Sequence, residues 1–160
     1  MATNAQYLAS LVNSSGNINI PVSNAGVVFN NSSATTNSTL NDYETGTWTV
    51  TDVSGAGLTF TNTTAQYTKI GTLVFFSFDI TFPSTASTAN IAISLPFTSM
   101  ASPVSPGGGA QTYSPVGLFE WYVGTNQSYI HVYTTAGVGA TNVAFSGKEC
   151  AVSGCYKASF

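Results

Sequence analysis

The segment from Leu73 to Phe82 constrains the fold of this chain more than any other. Val74, Phe76, Phe78, Ile80 and Phe82 recur at every second position. A period of two puts successive side chains on opposite faces of an extended strand, so these aromatic and branched residues must share one buried face. Helical spacing would scatter them around a cylinder. The other face, Leu73, Phe75, Ser77, Asp79 and Thr81, begins apolar and ends polar, as if one end were covered by a neighbour. Pro83 stops the strand, because proline cannot donate to a ladder.

The same grammar runs from Thr47 onward. Thr47 to Asp52 alternates, Leu58 to Thr61 and Ala65 to Ile70 read as short strands, and Gly71-Thr72 reads as a tight turn. Ile91, Ile93 and Leu95 alternate inward before Pro96. Pro115 to Val123 and Ser128 to Thr134 predict a hairpin across Gly124-Thr125-Asn126-Gln127, and Asn142 to Phe145 and Cys155 to Phe160 predict closing strands. Ser99 to Ser114, with Pro103, Pro106 and Gly107-Gly108-Gly109, predicts a long surface loop with a flexible glycine tip. Short strands with Gly and Pro turns predict an all-β fold over residues 41–160, an antiparallel, jelly-roll-like β-sandwich.

Residues 1–40 differ: they contain no Asp, Glu, Lys or Arg. Short apolar pieces interrupt them, carried by Tyr7, Leu8, Leu11 and Val12, then Ile18 and Ile20, then Val27 and Phe29. Such pieces are too short for independent sheets, but side by side in several chains they would bury one another. This segment is read as an extended N-terminal arm for docking and oligomerisation.

Charge narrows the function. Only 6% of residues are charged, against about 25% in a typical domain, and the chain has no Arg, three Lys and a net charge of −3. Nucleic-acid binding draws its affinity from Lys and Arg neutralising phosphates, and peripheral membrane binding needs basic patches, so neither partner is expected. Weakly charged chains tend to associate, which predicts a homo-oligomer. The N-terminus has no basic region followed by a long apolar one, so no signal peptide is predicted, and no apolar run approaches the length of a membrane span.

Candidate chemistry is sparse. Glycoside hydrolysis needs two carboxylates flanking a sugar, and Asp79 with Glu120 is the best pair available. Both are expected to be polar residues on outer strand faces, so no catalytic residue is assigned and the chain is not expected to be an enzyme. His131 is the one histidine, which cannot anchor a metal with these acids at any recognised spacing, and no cofactor is expected. Tyr129, His131 and Tyr133 alternate on one hairpin arm, with Trp121 and Tyr122 on the other. Together they form a candidate exposed aromatic face, suited to an interface or to stacking on sugars. Cys150 and Cys155 flank Ser153-Gly154, where a tight turn would bring them within bridging distance, about 7 Å. An intrachain disulfide, free thiols and an interchain link are all open readings.

Three stretches carry a family resemblance. They are Asn41-Asp42-Tyr43-Glu44-Thr45-Gly46-Thr47-Trp48, Tyr67-Thr68-Lys69-Ile70-Gly71, and Ile91-Ala92-Ile93-Ser94-Leu95-Pro96-Phe97. With the aromatic strand between them, this region resembles the β-sandwich domain at the distal ends of phage tail fibres and tailspikes. The match is close from Leu40 to Phe97 and looser from Pro115 to Phe160. The resemblance implies a trimer of sandwiches in a bacteriophage virion, with the Asp-Tyr-Glu-x-Gly-x-Trp element as a structural lead into the domain rather than a catalytic site. Only residues 1–40 precede the domain here, whereas a fibre has a long upstream section. The expectation is therefore a trimeric decoration (cement) protein whose partners are its own copies and the major capsid protein, located on the outer capsid surface. The alternative is a receptor-binding fibre tip on the tail that recognises host cell-surface glycan.

Overall fold

A computed structural model describes residues 27–28, 39–40, 42–101, 107–113 and 117–159. By its internal contacts the chain divides into two units, Met1–Asp42 and Tyr43–Phe160. In the first unit a short strand β1 (Val27–Val28) pairs antiparallel with β2 (Thr39–Leu40). Tyr7, Leu8, Leu11, Val12, Ile18, Ile20 and Phe29 of the expected arm lie outside the described residues.

The second unit is all-β and antiparallel, as expected. Its strands are β3 (Tyr43–Thr47), β4 (Thr61–Ile70), β5 (Leu73–Thr81), β6 (Ala92–Ser94), β7 (Gly107–Tyr113), β8 (Gly117–Val123), β9 (Tyr129–Thr134) and β10 (Glu149–Lys157). They form two four-stranded sheets, ordered β10-β5-β4-β3 and β6-β9-β8-β7. Gly71-Thr72 closes the β4–β5 hairpin, with Ile70 opposite Leu73 and Gly71 in the left-handed region that glycine adopts at no steric cost.

Alternation decides which side chains enter the core. Val74, Phe76, Phe78, Ile80 and Phe82 are all buried, as the period of two requires. Ile91, Ile93, Leu95, Phe119, Trp121, Val123, Ile130 and Val132 join them in one apolar cluster shared by both sheets. Phe76 meets Trp121 edge-on, with ring centroids 5.3 Å apart, which ties strand β5 of one sheet to β8 of the other.

Three local expectations are overturned, besides that of a separate short strand at Leu58, since residues 58–60 lie ahead of a single β4 that runs from Thr61 to Ile70. The glycine run 107–109 is not a loop tip: it opens β7, with Gly107 opposite Val123 and Gly109 opposite Trp121. A Cβ at Gly107 would lie 2.6 Å from the Cys155 carbonyl oxygen, so glycine is what lets β7 approach β10. Ser153 N–H donates to Gln111 Oε1 (3.2 Å) along the same seam. Asn142–Phe145 is a 3-10 turn rather than a strand. The buried Asn142 side chain donates to Ser54 Oγ (2.9 Å) and Ser87 Oγ (3.4 Å), and Phe145 packs on Phe82 and Phe119. The third difference lies after Thr47, where the chain leaves the first sheet and pairs locally with β6. Val53 N–H donates to the Ala92 carbonyl (2.9 Å) and Ser94 N–H to the Thr51 carbonyl (3.0 Å).

Candidate functional site

The aromatic face is built by the β8–β9 hairpin. Asn126, in the left-handed region that asparagine tolerates, turns the chain between the strands. Gln127 locks the turn: its Oε1 accepts from Gly124 N–H (3.1 Å), and its own N–H donates to Ser99 Oγ (2.9 Å). The same Oε1 lies 3.1 Å from His131 Nε2. A backbone N–H can only donate, so Oε1 is the acceptor there and Nε2 carries the ring proton. Burial pushes the His131 pKa below its ordinary value, so the ring is neutral near pH 7.

Tyr122 stands opposite His131 across the two strands, with rings nearly parallel (19°) and 5.7 Å apart. Tyr129 meets His131 edge-on at 5.0 Å, and Tyr133 lies 6.4 Å from His131 and 6.5 Å from Tyr122. Four of the five expected aromatic residues therefore do gather on one outer face. Trp121 does not. It is 4% exposed and turned into the core, because neighbours on a strand point to opposite faces and Tyr122 takes the outer one. Tyr122 is 40% exposed, and its partner on β7 is Gly108, which has no side chain to cover it.

The outer face of the other sheet forms a second surface. Register aligns Tyr43, Ile70 and Leu73 in one row, Thr45, Thr68, Phe75 and Cys155 in the next, and Thr47, Gln66, Ser77 and Ser153 in a third. Phe75 is 46% exposed and Ile70 is 41% exposed. A shallow concavity of about 490 Å³ lies over these strands, lined by hydroxyl and amide side chains around Phe75. The signal was present in the apolar start of the Leu73, Phe75, Ser77 face, but a single strand does not show which rows its neighbours complete.

The Asp52 carboxylate serves structure. Asp52 Oδ1 accepts from Ser54 N–H (2.8 Å) and Oδ2 from Leu58 N–H (3.0 Å), folding the Ser54-Gly55-Ala56-Gly57 turn around it. Burial works against its charge, but these hydrogen bonds outweigh it and hold its pKa below the ordinary value. Asp79 and Glu120 occupy outer faces of different sheets, so they do not flank a common substrate. Asp79 instead neighbours Glu149 on β10. Burial, then the hydrogen bond and charge of Glu149, push its pKa up, and its Oδ1 is buried without a hydrogen-bond partner. Among the described residues no three His, Cys, Asp or Glu side chains gather as a metal site.

The cysteines are both free. No turn separates them: β10 runs straight from Glu149 to Lys157. An odd spacing of five places them on opposite faces, roughly 16 Å apart along the strand, far beyond bridging distance. Cys150 is buried and its thiol is pushed up to about 12 by burial and by the nearby Asp79 charge, whereas Cys155 is exposed.

The motif residues come together as a structural lock. Gly46 lies opposite Tyr67, and a Cβ there would sit 2.6 Å from the Tyr67 hydroxyl. Burial and the Glu44 carboxylate raise the Tyr67 pKa. Tyr67 meets Phe97 edge-on at 4.9 Å, and Lys69 Nζ lies 5.8 Å from the centre of the same ring. Tyr156 OH donates to the Phe97 carbonyl (2.9 Å) and accepts from Phe97 N–H (3.1 Å), while Trp48 Nε1 donates to the Ser94 carbonyl (3.3 Å). No family model matches the chain, and no curated protein and no solved structure matches it either.

Proposed function

We propose that this chain is a structural protein of a bacteriophage virion, a homotrimer of β-sandwiches that binds and stabilises the outer capsid surface. The observation that carries the homotrimer, and with it the avidity this reading needs, is the outer face of the β10-β5-β4-β3 sheet. It leaves Tyr43, Ile70 and Phe75 open beside uncharged Thr, Gln and Ser side chains. Such a face gains free energy when another protein covers it, and it offers nothing to a phosphate or a lipid headgroup. The resemblance of the Asp42–Trp48 and Tyr67–Gly71 stretches to fibre and tailspike domains supports the phage setting. The role is mechanical: several weak contacts per copy, multiplied by the avidity of a trimer over neighbouring capsid subunits. No catalytic, cofactor or metal residue belongs to this reading.

A second reading rests on the open Tyr122 ring and its row of Tyr129, His131 and Tyr133. An aromatic ring beside an uncovered strand can stack on a sugar, which would make the protein a tail tip that recognises host surface glycan. Copy number in purified virions, measured by gel band intensity against the major capsid protein, separates the two. Hundreds of copies support the capsid reading, a few tens move the protein to the tail, and no band overturns both.

A further inference from the structure

We infer that the outer face of the β10-β5-β4-β3 sheet is the seam between copies of this chain, which rests on the homotrimer reading above. Three adjacent rows of this face carry no charge at their centre: Ile70 beside Leu73, Thr68 beside Phe75, and Gln66 beside Ser77. The charged groups of the face stand at its ends. Lys157 lies opposite Leu73 at one corner, and Asp79 and Glu149 close the other end. Uncharged rows that carry Ile70, Leu73 and Phe75 toward the hairpin end, with charged groups held to one corner and the far end, share the charge depletion that marks the buried part of a protein–protein interface.

The size fits a copy of the same chain. Three strands of nine or ten residues and the five-residue β3, spaced about 4.8 Å apart, present a projected face of roughly 500 Å². The accessible area of such a ruffled surface is larger, which brings it to the roughly 800 Å² per partner of a standard stable interface. The concavity over Thr47, Gln66 and Ser77 leaves room for the side chains of an opposing sheet face. Phe75 and Ile70 on adjacent strands make a contiguous apolar patch, and a permanently covered face is where such a patch persists. Three such faces turned toward one axis would bury the apolar rows together.

The test compares the full chain with Phe75→Glu and with Leu118→Glu, a change at an exposed apolar residue of the other sheet, using light scattering and native mass spectrometry. The expected result is a trimer for the parent and for Leu118→Glu, and for Phe75→Glu a threefold lower mass, the 16.6 kDa of one chain, with near-ultraviolet circular dichroism retained. A Phe75→Glu protein that stays trimeric overturns the seam and leaves the trimer standing. A parent chain that is monomeric at all concentrations overturns the trimer and the seam together. Should Phe75→Glu fail to fold, Cys155 of the parent supplies the readout, since it pairs with Phe75 on the same face while Cys150 is buried. Modification of Cys155 by a maleimide at least tenfold slower than that of a free cysteine peptide supports the seam. An equal rate overturns it.

Discussion

Replacing Gly154 by alanine should strike the core at its tightest point. A Cβ built there overlaps Cζ2 of the Trp121 indole and lies 2.5 Å from its Cη2, where carbon atoms prefer about 3.5–4.0 Å. The indole has no retreat. Gly109 on β7 is close on another side, where an added Cβ would sit 3.1 Å from the ring, and Phe76 presses edge-on from β5. Relief requires either rotation of a side chain that is 4% exposed or displacement of β10, which within its sheet is hydrogen-bonded to β5 alone. Overpacking of this kind costs about 1–3 kcal/mol, and the lack of slack places Gly154→Ala toward the upper end. For a domain of this size each kcal/mol shifts Tm by roughly 3–6 °C, so the variant should melt about 5–15 °C below the parent. Thermal unfolding followed by near-ultraviolet circular dichroism reads the change. Trp121→Phe removes the atoms that clash, so the double variant should be at least about 1 kcal/mol more stable than the sum of the single changes. A Gly154→Ala protein within 0.5 kcal/mol of the parent, roughly the scatter of a neutral substitution, or a double variant that is simply additive, would refute the reasoning.

Asp79→Asn should raise stability at neutral pH. The folded carboxyl titrates above its unfolded value of 3.8, so the parent is stabilised in acid and loses that contribution as pH rises through the folded pKa. The gain in Tm from Asn should therefore be present at pH 7 and fade toward pH 3; a gain that is flat with pH would contradict the Glu149 contact. Asn142→Ala removes the donor shared by Ser54 and Ser87 and should cost about 1–3 kcal/mol in urea unfolding, with an unchanged m-value. Alkylation in denaturant without reductant should label both cysteines of one chain, and a bridged fraction would contradict the straight β10. Cys155→Ser should leave Tm within about 2 °C, whereas Cys150→Ser buries an extra hydroxyl and should cost about 1–3 kcal/mol.

What was legible in the sequence was whatever a single strand states by itself. The core face of β5 followed from alternation, as did Ile91, Ile93 and Leu95, and the Gly71-Thr72 and Gly124–Gln127 turns followed from turn chemistry. The errors at the glycines share one cause: a residue whose role is set by a distant neighbour. Gly107 to Gly109 signals a loop locally, yet in the fold these glycines exist to admit Tyr156 and Trp121. Gly154 between two cysteines signals a turn, yet it lies in a strand because Trp121 occupies the space of its missing side chain. Trp121 and Tyr122 were assigned to one face although their adjacency alone separates them. The apolar half of the β5 outer face was visible, but the rows that extend it across Ile70 and Tyr43 required the register.

The two sheets divide the available surface in a way that links the proposals. Cross-strand stacking spends ring faces: Tyr122 and His131 lie nearly parallel, and Tyr129 directs an edge toward His131. The side of Tyr122 toward Gly108, which has no side chain, is left open for a ligand to stack on. On the other sheet the open residues are a contiguous apolar patch within an uncharged row structure, which suits a protein and not a sugar. If three copies bury that patch against one another, the β6-β9-β8-β7 sheet faces outward and becomes the surface left for the virion partner or the glycan. Tyr122→Ala should then change neither trimer mass nor Tm by more than a few degrees, yet weaken attachment to whichever partner the copy number identifies. A Tyr122→Ala protein that falls apart into monomers would reverse the assignment of the two faces.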